Sequence, residues 1–462
     1  MEKKRTAALH NLGCKVNEYE TERMKRALAE AGYEIVPFTE EADVYVINTC
    51  TVTAVADQKS RQMLHRARRL NPNAVVVAAG CFVQTAVAKD GAEKVLADTG
   101  ADILLGNNEK TALSEKIEDF LSGRKAASDV IDINERGISF EEMGAPSEDS
   151  KTLNRTSGFL KIQDGCDRFC SYCLIPYARG RSRSRTTADI VKEARTLAER
   201  GLKETVVTGI HIGSFKGADD GASLIDLLEQ LCDLPGIERV RLGSLEPVTV
   251  TEDFAKRLSV KEEICPQFHM SLQSGSDTVL ARMNRHYTTE EFASSVAFLR
   301  KYFDKPAITT DIICGFPGET EEEFEETLAF ARKIGFYEIH VFPFSSREGT
   351  RAAALPGQLP KAVKAERVNR LIEQQKPYKK AYMESFVGKP VSVLTEERET
   401  IGGKHFVTGY SKEYLRVAIP MEDLNEYVKN AEPGQELIGL TVPVQIQDSL
   451  DDDVLLGMPV FL

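Results

Sequence analysis

Short apolar runs alternate with amphipathic stretches along most of the chain. Between residues 5 and 120, the runs Thr6–Leu12, Val44–Ile47, Val75–Ala79 and Ile103–Leu105 predict strands. Glu18–Ala31 and Asp57–Leu70 carry apolar positions at helical spacing between them. That order predicts a Rossmann-like parallel sheet built from βαβ units. Residues 121–151 lose the pattern, with Glu141, Glu142, Glu148 and Asp149 around Pro146, and read as a linker. From 152 to 350 strand and helix repeat about six times. The strands are Phe159–Gln163, Thr205–Thr208, Val240–Leu242, Phe268–Leu272, Ile308–Ile313 and Ile339–Phe342. Ala188–Arg200, Leu224–Leu231 and Glu321–Ile334 are the clearest helices. Six units predict a partial (β/α)6 barrel rather than a closed eightfold one. Ala362–Phe386 reads as a helix interrupted at Pro377. Beyond it, Val391–Leu394, Lys404–Val407, Tyr414–Ile419 and Val442–Ile446 predict a small all-β barrel, a shape that often binds oligonucleotides. The expected domains are 1–120, a linker at 121–151, 152–384 and 385–462.

Composition narrows the class. The chain has 462 residues, 42% hydrophobic and 28% charged, which excludes a wholly disordered chain and a disulfide-stapled mini-protein. The longest apolar run, Ala74–Val83, is far short of the roughly 20 residues of a membrane span. No secretory pattern opens the sequence, so a soluble cytoplasmic protein is expected. A net charge of −12 argues against nucleic-acid binding when taken alone. The acids are unevenly spread, however. Lys59, Arg61, Arg66, Arg68 and Arg69 form one basic island, and Arg168, Arg179, Arg181, Arg183 and Arg185 a second. Such islands can steer a polyanion to one place.

Nine cysteines in such a chain point to metal or redox chemistry. Cys166-Asp-Arg-Phe-Cys170-Ser-Tyr-Cys173 puts three thiols on one short loop after a strand. Thiolates suit zinc or an iron–sulfur cluster. Zinc wants a fourth ligand at finger-like spacing, and the next histidine, His211, is remote. Three ligands fit a cluster with one open iron; structural cysteines grouped by chance are the alternative. Cys14, Cys50 and Cys81 each follow the carboxyl end of a strand. Loops at that edge of an open α/β sheet converge, so these three can meet, although buried small residues would look the same. Cys232, Cys265 and Cys314 read as structural, and no histidine is assigned to a metal.

The Cys triplet, with Tyr172 before its last member, resembles the radical S-adenosylmethionine family. The set of motifs resembles the methylthiotransferases within it. These are Leu12–Asn17, Ile47–Cys50, Gly80-Cys81, the triplet, Pro176–Arg185 and Asp311–Thr320. Gly13-Cys-Lys-Val-Asn17 resembles the branch acting on N6-threonylcarbamoyladenosine at tRNA position 37, the MtaB type. The resemblance implies an N-terminal cluster domain, a radical S-adenosylmethionine barrel and a C-terminal TRAM barrel that holds RNA. It implies addition of a methylthio group to C2 of the base. It implies two 4Fe–4S clusters, one on Cys166, Cys170 and Cys173 and an auxiliary one on Cys14, Cys50 and Cys81. S-adenosylmethionine and an external reductant such as flavodoxin or ferredoxin complete the set.

Polar residues at strand ends lean towards the active face, and the resemblance implies that Ser244, Glu246, Gln273 and Ser274 line the cofactor pocket, with Tyr172, Thr208, Gly209, Arg285 and Asp311 as further candidates. Gly315–Gly318 shapes that pocket or is a plain turn. Arg179, Arg181, Arg183 and Arg185 alternate, which on an extended segment would present one basic side to phosphates. The helix Lys59–Arg69 is a second RNA candidate, and Phe406, Tyr410 and Tyr414 are possible stacking residues. Three other functions remain open. They are methylthiolation of an aspartate in ribosomal protein S12, action on isopentenyladenosine, and a non-catalytic RNA-binding iron–sulfur sensor.

Overall fold

The computed structural model describes residues 4–124, 130–135, 137–144, 156–431 and 434–460. Its first unit is a parallel sheet in the order β2-β1-β3-β4-β5. The strands are β1 (Thr6–Asn11), β2 (Glu34–Ile35), β3 (Val44–Thr49), β4 (Val75–Gly80) and β5 (Ile103–Leu105). Alternate residues face opposite layers. Val44, Val46, Val75 and Val77 pack with Met24, Leu28, Leu113 and Ile117 on one side. Tyr45, Ile47, Val76 and Ala78 pack with Leu64 and Ala67 on the other. Every residue of β3 and β4 is buried, as a sheet covered on both faces requires. The described part of the expected linker is not loose. Gln84 donates to the carbonyl of Ile131 at 2.7 Å, and Glu141 accepts from the Thr111 amide at 2.8 Å, so 130–135 and 137–144 pack back on this unit. Residues 125–129, 136 and 145–151 of that expected linker lie outside the described residues.

The second unit holds β6 (Ser157–Lys161), β7 (Gln163–Asp164), β8 (Arg183–Ser184), β9 (Glu204–Thr208), β10 (Arg239–Leu242), β11 (Gln267–His269), β12 (Ala307–Cys314) and β13 (Glu338–Pro343). The six strands expected as a partial (β/α)6 barrel fall in two parallel sheets, β10-β9-β6 and β11-β12-β13. The seam falls at β11, which has only three residues. Isolated bridges Val240–Ile264 and Leu245–Met270 carry pairing across it. One apolar core still backs both sheets, through Leu160, Val207, Val240, Phe268 and Ile308. β7 and β8 form a separate antiparallel ribbon. The helix expected to break at Pro377 runs unbroken from Lys361 to Glu384. Anchors before and after the proline hold it. Gln374 donates to the Leu328 carbonyl at 2.9 Å, Gln375 accepts from the Ile339 amide at 2.6 Å, and Met383 is buried.

The last unit has β14 (Pro390–Ile401), β15 (Lys404–Ser411), β16 (Arg416–Pro420), β17 (Thr441–Ser449) and β18 (Leu455–Pro459). The order β14-β15-β16-β18-β17 closes where β17 pairs with β14. The all-β expectation is corrected here. A helix, Met421–Ala431, joins β16 to β17 and buries Leu424, Tyr427 and Val428, and β16 pairs with β18 in parallel. Among the described residues, no helix is long and apolar enough to cross a membrane.

Candidate active site at the junction of the two parallel-sheet units

The loop after β7 carries Cys166, Cys170 and Cys173. It is pinned to the segment after the helix Asp277–Arg282. Ser171 bonds the carbonyls of Met283 and Arg282 at 2.9 and 2.8 Å, and Asn284 donates to the Phe169 carbonyl at 3.0 Å. Phe169 takes a left-handed φ of 47° to make this turn. Burial pushes the Cys166 thiol up to about 11 and that of Cys173 to about 12. A metal cation that displaces such protons relieves this cost. Arg285 donates to the Cys170 sulfur at 3.2 Å. Its other end pairs with Glu246 at 3.1 Å, and Glu246 also meets Arg168 at 2.7 Å and His211 at 3.2 Å. Burial alone would raise Glu246, but His211, Arg285 and Arg168 hold it down at about 2.

Other pocket candidates fall differently. Ser244 and Ser271 hydroxyls meet at 2.6 Å beside this hub. Gln273 has a left-handed φ of 69°, and its amide bonds the Asp311 carbonyl at 2.9 Å. Thr208 is buried at the end of β9, and Gly209 follows it against Gln163. Tyr172 packs with Val279, Met283, Phe316 and Phe344, an apolar wall rather than a polar contact. Ser274 is fully buried, and its hydroxyl meets that of Thr327 at 3.3 Å.

Cys14, Cys50 and Cys81 follow β1, β3 and β4, as their spacing suggested. Cys14 is exposed and the other two are buried. They are near neighbours. A Cβ on Gly13 would stand 2.9 Å from the Cys50 sulfur, and Cys50 feels the charge of both Cys81 and Cys14. Gly13 also has a φ of +110°, which only glycine adopts readily. Burial pushes the Cys50 thiol up to about 12. Asn107 donates to the Cys81 sulfur at 3.4 Å and to the Ala178 carbonyl at 2.8 Å. Ala178 lies in the helix Ile175–Arg179, just after Cys173. At 1.5 Å per residue that helix is about 7.5 Å long, so a short element separates the two thiol sets. Each set offers three thiols, the donor type that iron–sulfur centres take.

The arginine run does not present one basic side. Arg179 is fully buried, and Arg183 and Arg185 nearly so. Arg179 bonds Glu20 at 2.8 Å, Asp164 at 3.1 Å and Asn17 at 2.6 Å. Arg183 donates to the Arg179 carbonyl, and Arg185 pairs with Glu193 and Glu142. Buried acids claim these side chains, so phosphate contact is excluded for Arg179 and Arg185. Arg181 alone is open, at 66% exposure. On the helix Ala54–Leu70, Lys59, Arg61, Arg66 and Arg69 are exposed, while Arg68 pairs with Asp102 at 2.6 Å. Phe406 is core, and Tyr410 and Tyr414 stack on each other at 5.1 Å, so one face of each ring is taken.

The sequence reading missed two groupings. His269, Asp311 and His340 offer ligand atoms within 4.8 Å of one another on adjacent strands. Matching positions on one face of β11, β12 and β13 would have signalled this. The second is the buried charge network around Glu20, whose members lie up to 159 residues apart.

A model of the radical SAM superfamily matches residues 160–331, and a model of the uncharacterized protein family UPF0004 matches 6–106. Neither reaches 387–462. The accessory module that a family model recognises is therefore N-terminal, which overturns the C-terminal TRAM assignment in the expected fold. The chain is 41% identical over 415 residues to a threonylcarbamoyladenosine tRNA methylthiotransferase of Bacillus subtilis, covering 89% of this chain and 90% of that one. It is 37% identical to that of Aquifex aeolicus, covering 87% and 95%. A tRNA-2-methylthio-N(6)-dimethylallyladenosine synthase of Acetivibrio thermocellus is 33% identical, covering 96% and 89%. The radical S-adenosylmethionine methyltransferase TsrM of Kitasatospora setae shares the fold, with a TM-score of 0.57 at 17% identity over 76% of this chain and 77% of that one.

Proposed function

From the premise that the chain belongs to the MtaB-type threonylcarbamoyladenosine tRNA methylthiotransferase family, we propose how its parts divide the reaction. The protein is a radical S-adenosylmethionine enzyme that adds a methylthio group to C2 of N6-threonylcarbamoyladenosine at tRNA position 37. The C2 hydrogen is not acidic enough for a side-chain base, whose pKa can be tuned by only a few units. When bound, iron–sulfur centres and S-adenosylmethionine supply a carbon radical for that hydrogen and a sulfur atom for insertion, chemistry no side chain has. Cys166, Cys170 and Cys173 are assigned to hold one 4Fe–4S cluster, and Cys14, Cys50 and Cys81 the auxiliary one. What most supports this division is the placement of both thiol sets at the two ends of the helix Ile175–Arg179.

The remaining residues position and exclude. Arg285 offsets charge on Cys170, and Glu246 stays ionised between Arg285, Arg168 and His211. The apolar wall of Tyr172, Phe316 and Phe344 keeps water from the same place. Ser244, Gln273 and Asp311 complete the assigned cofactor pocket, with Thr208 and Gly209 forming its floor. Lys59, Arg61, Arg66, Arg69 and Arg181 are the exposed cations assigned to tRNA phosphates. The working units are 1–120, 152–384 and 385–462. A flavodoxin or ferredoxin donates electrons, and the tRNA substrate places the enzyme in the cytoplasm.

Mass spectrometry of nucleosides, in tRNA from cells with and without the gene, tests the substrate. The deletion strain should lose 2-methylthio-N6-threonylcarbamoyladenosine and accumulate its unthiolated precursor. Accumulation of unthiolated isopentenyladenosine instead would overturn the assignment.

A further inference from the structure

The junction between the first two units buries more positive than negative charge. Glu20 accepts from Lys110 at 2.6 Å, Lys161 at 2.8 Å and Arg179 at 2.8 Å. Asp164 accepts from Lys161 at 2.7 Å and Arg179 at 3.1 Å. Arg183 stands 3.6 Å from Asp164 at the rim. Two carboxylates thus face three fully buried cations and a fourth nearly buried one. A buried cation without a counter-charge is costly, so the surplus calls for another anion. Cys14, Cys50 and Cys81 lie where that anion must be. The Asn17 side-chain oxygen that accepts from Arg179 at 2.6 Å stands 3.9 Å from the Cys14 sulfur, and Asn107 spans the Cys81 sulfur and the carbonyl of Ala178, the residue before Arg179. The Nε–H of Arg179 is buried and has no hydrogen-bond partner among the described residues. Its Nη1 and Nη2 are committed to Glu20, Asp164 and Asn17, which fixes the direction of that free donor.

We propose that Arg179 is the counter-charge of the auxiliary iron–sulfur centre, a positioning residue that sets its potential and ties its occupancy to the docking of the two units. A centre held by three thiolates is anionic, and it completes the charge balance that the protein alone leaves open. The same guanidinium grips Asn17 and Glu20 of the first unit while belonging to the second. Loading the centre therefore tightens the junction, and removing it leaves a buried cation uncompensated.

This rests on Cys14, Cys50 and Cys81 being the auxiliary ligands. The test uses the full chain with Cys166, Cys170 and Cys173 all replaced by alanine, so that the auxiliary centre alone is read. Into it go Arg179→Met, Arg179→Lys and Lys161→Met. Iron and sulfide content and the midpoint potential, followed by electron paramagnetic resonance, are measured after reconstitution. Arg179→Met should hold less iron and shift the potential downward, because an anionic centre that loses a nearby cation is harder to reduce. Arg179→Lys should restore most of both. Lys161→Met removes a cation from the same two carboxylates but away from the thiols, and should leave the potential near the parent value. An unchanged potential in Arg179→Met overturns the proposal. Equal shifts, or equal loss of iron, in Arg179→Met and Lys161→Met also overturn it, since a merely structural network predicts that. A parent that takes up no iron overturns the ligand assignment and the proposal together.

Discussion

Arg179 and Arg181 are two positions apart and occupy opposite environments, one fully buried among acids and thiols, the other open to solvent. The sequence pattern of alternating arginines could not separate them, because what separates them is Glu20, Asp164 and Asn17, two of which come from a distant helix. The cysteines were different. Their placement depends on strand ends and short spacings, which are local, so the positions of Cys14, Cys50 and Cys81 after β1, β3 and β4 were legible from sequence. Arg285 shows the intermediate case. Its strand-end neighbourhood marked it, but its contact with Cys170 needed the loop to fold back. Replacing Arg285 by alanine removes the donor to Cys170 and one of the three side chains around Glu246. Outer-shell partners of metal ligands typically contribute about 10–100-fold to activity. Formation of 5′-deoxyadenosine from S-adenosylmethionine by the reduced enzyme should fall by about that factor, with the auxiliary iron retained. A rate within twofold of the parent would remove Arg285 from the site.

The helix Glu321–Ile334 shows what an element needs in order to be read correctly. Its bounds were legible because its signals are local. Thr320 and Glu323 form a capping box, Glu321 to Glu323 fill the first turn, and Gly335 ends it with a φ of 61°. Glu323 also pairs with Arg282 at 2.6 Å, and this hydrogen-bonded pair brings it to about 2. The folded value lies below the ordinary carboxylate value, so the stabilisation is full above about pH 4.5 and is lost as pH falls through about 2. Discounted for partial exposure, it amounts to about 1–2 kcal/mol. Glu323→Gln should lower stability by that amount at pH 7, in a denaturant titration, and much less at pH 3. The same loss at both pH values would mean that packing and not charge is at work. Elements without such signals were misread. Met421–Ala431 was passed over as a loop, and Pro377 was taken for a break that Gln374 and Gln375 prevent. The split at β11 was hidden because three residues make a strand too short to announce where its pairing ends.

At the scale of the whole molecule, the three units follow the order that hydrophobic periodicity predicts, but the contacts between them were not legible. Periodicity records which face of an element is buried, not which distant charge meets it. The junctions are polar. Arg347 reaches Thr51 at 2.8 Å, Asn107 reaches Ala178, and Lys110 and Lys161 share Glu20. The last unit is joined to the barrel in the same manner. Arg239 of β10 is fully buried, and it donates to the carbonyl of Tyr410 and to that of Ser392, both at 2.8 Å. Arg241, two residues on, reaches the Ser411 carbonyl at 3.1 Å and pairs with Glu204. Both arginines stand on the strand edge facing the closed sheet, so their removal should loosen that unit without touching the thiol loops. Arg239→Met keeps the apolar stem and leaves two buried carbonyls short of a donor, at about 1–3 kcal/mol each. Amide hydrogen exchange should therefore accelerate around 390–394 and 408–411, and proteolysis should open near 385–389. Cleavage of S-adenosylmethionine should persist. Unchanged exchange in both segments would show that the apolar contacts of Tyr337 with Tyr382 and Phe386 carry the junction without Arg239.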